Sequence, residues 1–357
     1  GLYLSFDDGE TWRRWRSNFP VVPVRDMVVK NDDLVIGTHG RSFWIFDDLA
    51  VIRQAKADIF NNAAHLFEPE DPVRFRELVS RSPLRNQSPP GAQGANPPNG
   101  AVIWYYLEDA DQTVTLTFRD ASGTEVATFR SVEDPDVIGT PRNPPPDPIS
   151  ADAGLNRFVW NFRYPGPRQV PGAIYRRYDP IGPIAPPGEY EVEINAGNYR
   201  AIQSFEVLPD PRLDTTPEEF EALNLFLLSV RDEITSTHET VFRIRALRER
   251  IEVQTGGDGV SAEVRVAGER VARELLIIEE KLIQFRAKAT QDLINYPVRL
   301  NDKLSTLFTL VESSDSPPAA QDYELFDELK ERIVEVVDEL DNLVETTDWS
   351  RMGMEVD

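Results

Sequence analysis

Ser5-Phe6-Asp7-Asp8-Gly9-Glu10-Thr11-Trp12 is the stretch from which the rest of the chain can be read. It spells S-x-D-x-G-x-T-W between apolar runs, Leu2-Tyr3-Leu4 before it and a second β segment after it. Each fixed position has a physical task. The Asp7 carboxylate can accept hydrogen bonds from nearby backbone N–H groups, and Gly9 can take the positive φ of a tight reversal. The Ser5 and Thr11 hydroxyls can tie the same turn, and Trp12 offers a large apolar anchor beneath it. The stretch therefore predicts a hairpin turn between two strands.

The pattern resembles the Asp-box, or BNR repeat, of sialidases, oligoxyloglucan-type hydrolases and sortilin/Vps10 proteins. The resemblance implies a structural role for Ser5, Asp7, Gly9, Thr11 and Trp12, which would pin a hairpin within a propeller blade. Working outward, Val24, Met27-Val28-Val29, Leu34-Val35-Ile36 and Phe43-Trp44-Ile45-Phe46 read as short strands with turn signals at Asn31-Asp32-Asp33 and His39-Gly40-Arg41-Ser42. Regular short strands with such punctuation suit a sandwich or a blade. A blade cannot cover its own faces without neighbours. Residues 1–55 are thus expected to be the last blade or two of a truncated β-propeller, and the chain, which opens on Gly1, to be part of a longer protein.

A closer resemblance follows from four segments: LVIGTHGRSFWIFDDL (Leu34 to Leu49), NPPNGAVIWYYL (Asn96 to Leu107), GLNRFVWNFRYPGP (Gly154 to Pro167) and APPGEYEVEI (Ala185 to Ile194). These are similar to the end of the propeller, and the region after it, in bacterial BNR/WD40-like repeat proteins. Such proteins are often described as glycosyl hydrolases or as sortilin/Vps10-like. The likeness spans nearly the whole chain and implies a family rather than an activity.

Beyond the blade, residues 56–101 read as a Pro/Gly-rich connector. Residues 102–208 carry period-2 alternation, as in Val114, Leu116 and Phe118, and predict a small β-sandwich, Ig-like and of the FlgD type. Residues 215–346 switch to period 3.6. Thr215-Thr216-Pro217-Glu218-Glu219 has the chemistry of a helix start. Four apolar stripes follow, broken at Gly256-Gly257, Asn295-Tyr296-Pro297 and Ser316-Pro317-Pro318, and predict an antiparallel four-helix bundle. Residues 347–357 read as an acidic tail. The fold class expected is multidomain, β plus α.

Composition narrows the partners. The net charge of −23 over 357 residues argues against nucleic acid or an anionic membrane surface, since both select a basic face. No apolar run is long enough to span a bilayer. With no cysteine there is no disulfide framework and no thiolate site. No cofactor is implied. The partner expected is a protein or glycan held through the full propeller, and the family likeness implies an extracellular or periplasmic location for the parent protein.

Candidate chemistry is sparse. His39, His65 and His238 share no metal-ligand spacing, so no metal site is expected. His39 and Arg41 sit in a turn that could face a propeller funnel, although a turn histidine bonded to backbone accounts for His39 equally well. His238, mid-helix beside Glu239, reads as a packed or surface residue. Glycoside cleavage needs paired carboxylates. The pairs here are Asp7-Asp8, where Asp7 belongs to the turn, and Asp47-Asp48, at a strand end where turn capping is the plainer role. No catalytic residue is assigned. Trp104 and Tyr106 could form a glycan platform, since flat rings stack on sugars; alternation sends other rings of the same region into a core. The arginines Arg243, Arg245, Arg248 and Arg250 read as a salt-bridged helix face. The function expected is non-catalytic: a binding or structural scaffold. The alternative is part of a glycoside hydrolase, sialidase-like or xyloglucanase-like, whose catalytic propeller lies mostly upstream.

Overall fold

The computed structural model describes residues 1–15, 18–55, 59–76, 96–110, 112–134, 137, 139, 144–176, 179–257 and 259–354. Much of the Pro/Gly-rich connector expected at 56–101, and much of 135–143, lies outside them. The chain is mixed β and α and divides into two units: 1–124 with 149–161 and 188–210, and 125–148 with 162–187 and 211–357.

The first unit begins with β1 (Leu2–Leu4) and β2 (Arg13–Trp15), an antiparallel pair joined by the Asp7 turn. Then β3 (Val24–Lys30), β4 (Asp33–Thr38) and β5 (Phe43–Phe46) form a three-stranded antiparallel sheet. Lys30 pairs with Asp33 across Asn31 and Asp32, whose φ values of 49° and 59° make this the two-residue turn that twists with its strands. Pro20 and Pro23 precede the first paired residue, in keeping with proline's lack of a ladder donor.

After the short helix α1 (Leu49–Gln54) come β6 (Ala64–Leu66) and β7 (Val73–Arg74). Both fall in the stretch expected to be connector, yet β6 pairs with β8 (Ala101–Leu107), and β7 runs parallel to β13 (Tyr199–Pro209). Buried Ala64, Leu66 and Phe67 explain why this short run is structured. β8 lies between β6 and β11 (Gly154–Trp160), and β9 (Val114–Asp120) and β13 flank β12 (Gly188–Ala196). The strand β10 (Glu125–Arg130) falls in the second unit. Alternation does what the sequence period demands: Ala101, Ile103, Tyr105 and Leu107 of β8 are fully buried, as are Val114, Leu116 and Phe118 of β9. Trp160 of β11 stacks on Phe118 of β9 at 4.5 Å, so the two sheets share one apolar core. Gly100 sets the lead-in to β8, because a Cβ there would meet the Trp160 carbonyl oxygen at 2.4 Å.

The second unit is dominated by α2 (Pro217–Thr255), α3 (Ala262–Leu282), α4 (Leu300–Glu312) and α5 (Ala320–Thr346). Thr216 caps α2: its Oγ1 accepts from Glu219 N at 3.3 Å, and Glu219 Oε2 accepts from Thr216 N at 2.9 Å. Ser261 caps α3 in the same sense. The stripes bury as their spacing requires: Phe220, Leu223, Val230, Ile234 and Val241 on α2, Val271 and Leu275 on α3, Leu304 and Leu307 on α4, and Ile333 and Leu340 on α5. They join one core. Residues 347–354 do not read this way from their charge. A 3-10 turn at Trp349–Met352 carries Trp349, Met352 and Met354 into the helical core, and Trp349 Nε1 donates to the Val344 carbonyl at 2.8 Å.

Candidate functional site

The Asp7 turn is bonded as its residue types require. Gly9 N donates to Ser5 Oγ at 2.7 Å, and Thr11 N donates to Asp7 Oδ1 at 2.8 Å. The Ser5 hydroxyl donates to Asp7 Oδ1 at 2.8 Å and the Thr11 hydroxyl to Oδ2. Trp12 Nε1 closes the loop on the Gly9 carbonyl at 3.0 Å. Gly9 has φ 94°. The Thr11 hydroxyl and amide, with the Ser5 hydroxyl, hold the Asp7 carboxyl at about 2, below the usual range. Both carboxylate oxygens of Asp7 are bonded within its own turn, so the residue is a bolt rather than a reagent. The Trp12 ring is 63% exposed.

A second turn repeats part of this logic. Thr38 N and Oγ1 both donate to the Ser42 carbonyl, at 3.2 and 2.7 Å, and Trp44 Nε1 donates to the Arg41 carbonyl at 3.0 Å. His39 N bonds the Pro23 carbonyl at 3.0 Å, and the side chains of His39 and Arg41 both face solvent. The structure thus puts these two side chains together at one exposed turn.

Trp104 and Tyr106 project from the β8 face opposite the core. Neither ring is bare. Both pack against the cluster of Val51, Ile59 and Phe67, and Phe60 meets Tyr106 edge-on at 5.2 Å. Trp104 Nε1 donates to Asp48 Oδ2 at 3.1 Å, Arg157 Nε approaches the same oxygen at 3.4 Å, and the Arg157 guanidinium lies 5.8 Å from the Trp104 ring centre. This meeting of Asp48, Trp104 and Arg157 was not readable from the sequence, since it joins residues more than 50 positions apart; the only local signal was the Asp47-Asp48 pair. Asp33, Asp47 and Asp48 act on one another electrostatically. Partial desolvation, then the charge of Asp48, pushes the Asp47 carboxyl up, and desolvation followed by Asp47 does the same to Asp33. Arg157 offsets part of this charge at Asp47. The group joins Asp48 to one aromatic plane and one guanidinium, with Asp47 and Asp33 coupled to it through charge. Among the described residues no three His, Asp or Glu side chains are arranged to hold a metal ion.

In the second unit the charged residues answer one another. Glu279, nearly fully buried, takes Arg245 Nε at 2.7 Å and Arg248 Nη1 at 2.9 Å, and Arg243 pairs with Asp341 at 2.6 Å. Arg243, Arg245 and Arg248 of that row are salt-bridged, and Arg245 and Arg248 line part of a cavity of about 400 Å³ together with Glu249, Glu252 and Glu269. No helix among the described residues is long and apolar enough to cross a membrane. No family model matches the chain, and no curated protein matches it.

Proposed function

We propose that this chain is a non-catalytic binding or structural region of an Asp-box propeller protein, extracellular or periplasmic, working as an interaction scaffold for a protein or glycan. In this reading β1–β5 supply blade sheets, β8–β13 an Ig-like sandwich of the FlgD type, and α2–α5 an antiparallel bundle. One observation carries it. β3 and β5 expose apolar side chains on a sheet whose turns are fully bonded: Met27 is 58% and Phe43 78% exposed, with Val28, Val29 and Ile45 comparably bare. Contiguous apolar exposure of this kind marks a surface made to be covered. The nature of the cover, further sheets of the same kind, rests on the Asp-box likeness of Ser5 to Trp12.

The test is a triple substitution, Met27→Lys, Val29→Lys and Phe43→Lys. The reading expects an unchanged urea midpoint for this chain and loss of binding to the sheets that would cover it; a large fall in the midpoint would make the face part of the chain's own core. The alternative reading is part of a glycoside hydrolase, sialidase-like or xyloglucanase-like, whose catalytic propeller lies mostly upstream. Aryl-glycoside cleavage by a longer protein that carries this chain behind a full propeller would support it over the scaffold, and inactivity of that protein would count against it.

A further inference from the structure

The segment Phe162–Arg176 has a single bridge, Arg163 to Ile184, and no helix or strand of its own, yet it is built into the core of the second unit. Val170, Ala173 and Tyr175 lie in the same apolar cluster as the helices. Polar bonds hold it on both flanks. Arg163 Nη1 donates to Glu312 Oε1 at 2.7 Å and to the Gly182 carbonyl at 2.6 Å, and Arg176 N donates to Asp302 Oδ2 at 2.9 Å.

His238 of α2 sits at the middle of this strap with 0% exposure. Its Nδ1 lies 2.5 Å from the Arg168 carbonyl oxygen. A carbonyl can only accept, so Nδ1 carries the hydrogen and Nε2 presents its lone pair. That lone pair meets Tyr175 Oη at 3.1 Å and Asn301 Nδ2 at 3.4 Å. The Asn301 amide cannot turn round freely, because its Oδ1 accepts from Asp302 N at 2.8 Å. The arrangement suits the neutral ring that carries its hydrogen on Nδ1, with Tyr175 donating to Nε2. A proton on Nε2 would face the Asn301 amide hydrogens and oblige the Tyr175 hydroxyl to turn from donor to acceptor.

The charges around the ring offer an imidazolium little help. Arg245, also on α2, repels it. Glu239 is paired with Arg168 at 3.9 Å, and the Arg168 guanidinium lies over Phe242 at 4.4 Å. From α4, Asp302 is turned to the Arg176 amide, and Asp179 of the same loop region acts on Asp302 and Tyr175.

We propose that His238 is an acid-sensitive latch, whose protonation releases the Phe162–Arg176 strap from α2 and α4 while the helical core stays folded. Burial, followed by Arg245, holds the closed-state imidazole at about 4, whereas a freed histidine returns to its usual 6.5. The closed state is then fully favoured above pH 6.5 and loses ground as pH falls from 6.5 towards 4. The strap's opening constant should rise roughly 70-fold between pH 7.5 and 4.5. Asp302 works in the opposite sense. Burial raises its carboxyl, so the closed state gains from it as pH falls through that raised value. Asp302→Asn removes this counterweight.

The chain has only three histidines, so its ring signals can be assigned with His39→Gln and His65→Gln variants and followed by NMR, alongside hydrogen exchange on the intact chain. The expected result is a His238 signal titrating well below 6.5, with exchange across residues 163–176 accelerating over the same pH range while α5 stays protected. The variant His238→Gln should remove the pH dependence of strap exchange between 4.5 and 6.5. If His238 titrates near 6.5 in the closed protein, or if the variant opens with the same pH profile, the proposal fails. Should the variant not fold, the coincidence of ring titration and strap exchange in the unaltered chain still decides.

Discussion

The sheet of β3, β4 and β5 and the helical core of α2 to α5 are stabilised in opposite ways. In the sheet the reversals are secured by short local bonds, such as Thr38 to Ser42 and Trp44 to Arg41, while Met27, Phe43 and Ile45 remain in solvent. In the helices Leu275, Leu304 and Leu340 are fully buried across long sequence separations, and the caps merely define the ends. Local bonds specify a shape but bury little apolar surface, so the sheet's own stability is small. The helical core carries the hydrophobic term that dominates folding.

The largest expected difference comes from truncating one apolar side chain in each region. Leu275→Ala should cost about 2–5 kcal/mol in urea unfolding, since it leaves a cavity, while Met27→Ala should stay within about 0.5 kcal/mol. Equal costs would erase the distinction. A smaller effect is expected beside the sheet at Asp47→Asn. A carboxyl with a raised proton affinity favours the fold when protonated and weakens it as pH rises through its folded pKa. The substitution should therefore raise the urea midpoint modestly at pH 7.5, and the gain should vanish near pH 3.5; a fall at pH 7.5 would mean that Asp47 is held by a favourable partner. The smallest effect belongs to the Asp7 turn. Its carboxyl sits at about 2 in the fold, so its contribution is complete above the ordinary value near 3.8 and disappears as pH falls towards 2. The Thr11 amide shift should titrate with a midpoint of about 2 and lose the titration in Asp7→Asn.

Periodicity carried most of what the sequence could tell. The stripe from Phe220 to Ile251 places α2 and its buried face, and alternation across Ala101 to Leu107 sends Tyr105 inward and Trp104 outward. What covers the outward face could not be read, because Val51, Ile59 and Phe67 reach Trp104 from a different stretch of chain. His238 reads from its neighbours as one more helix residue. Its partners Arg168 and Tyr175 lie 70 and 63 positions away, in a Pro/Gly-rich run whose local pattern signals only loop. The end of the chain was hidden for another reason: Asp348 and Arg351 dominate its composition, and the available signal was the spacing of Trp349, Met352 and Met354.

The central claim is that the β3–β5 sheet keeps its shape by local bonds and leaves its apolar faces to be covered, while the remainder of the chain is self-sufficient. Amide hydrogen exchange at pH 7.5, resolved by segment, tests it most directly. Residues 24–30 and 43–46 should exchange on the order of a thousandfold faster than those of β9, β12 and the middle of α2, because exchange by local opening scales with the surface each segment buries. Protection of 24–30 and 43–46 equal to that of α2 would contradict the claim.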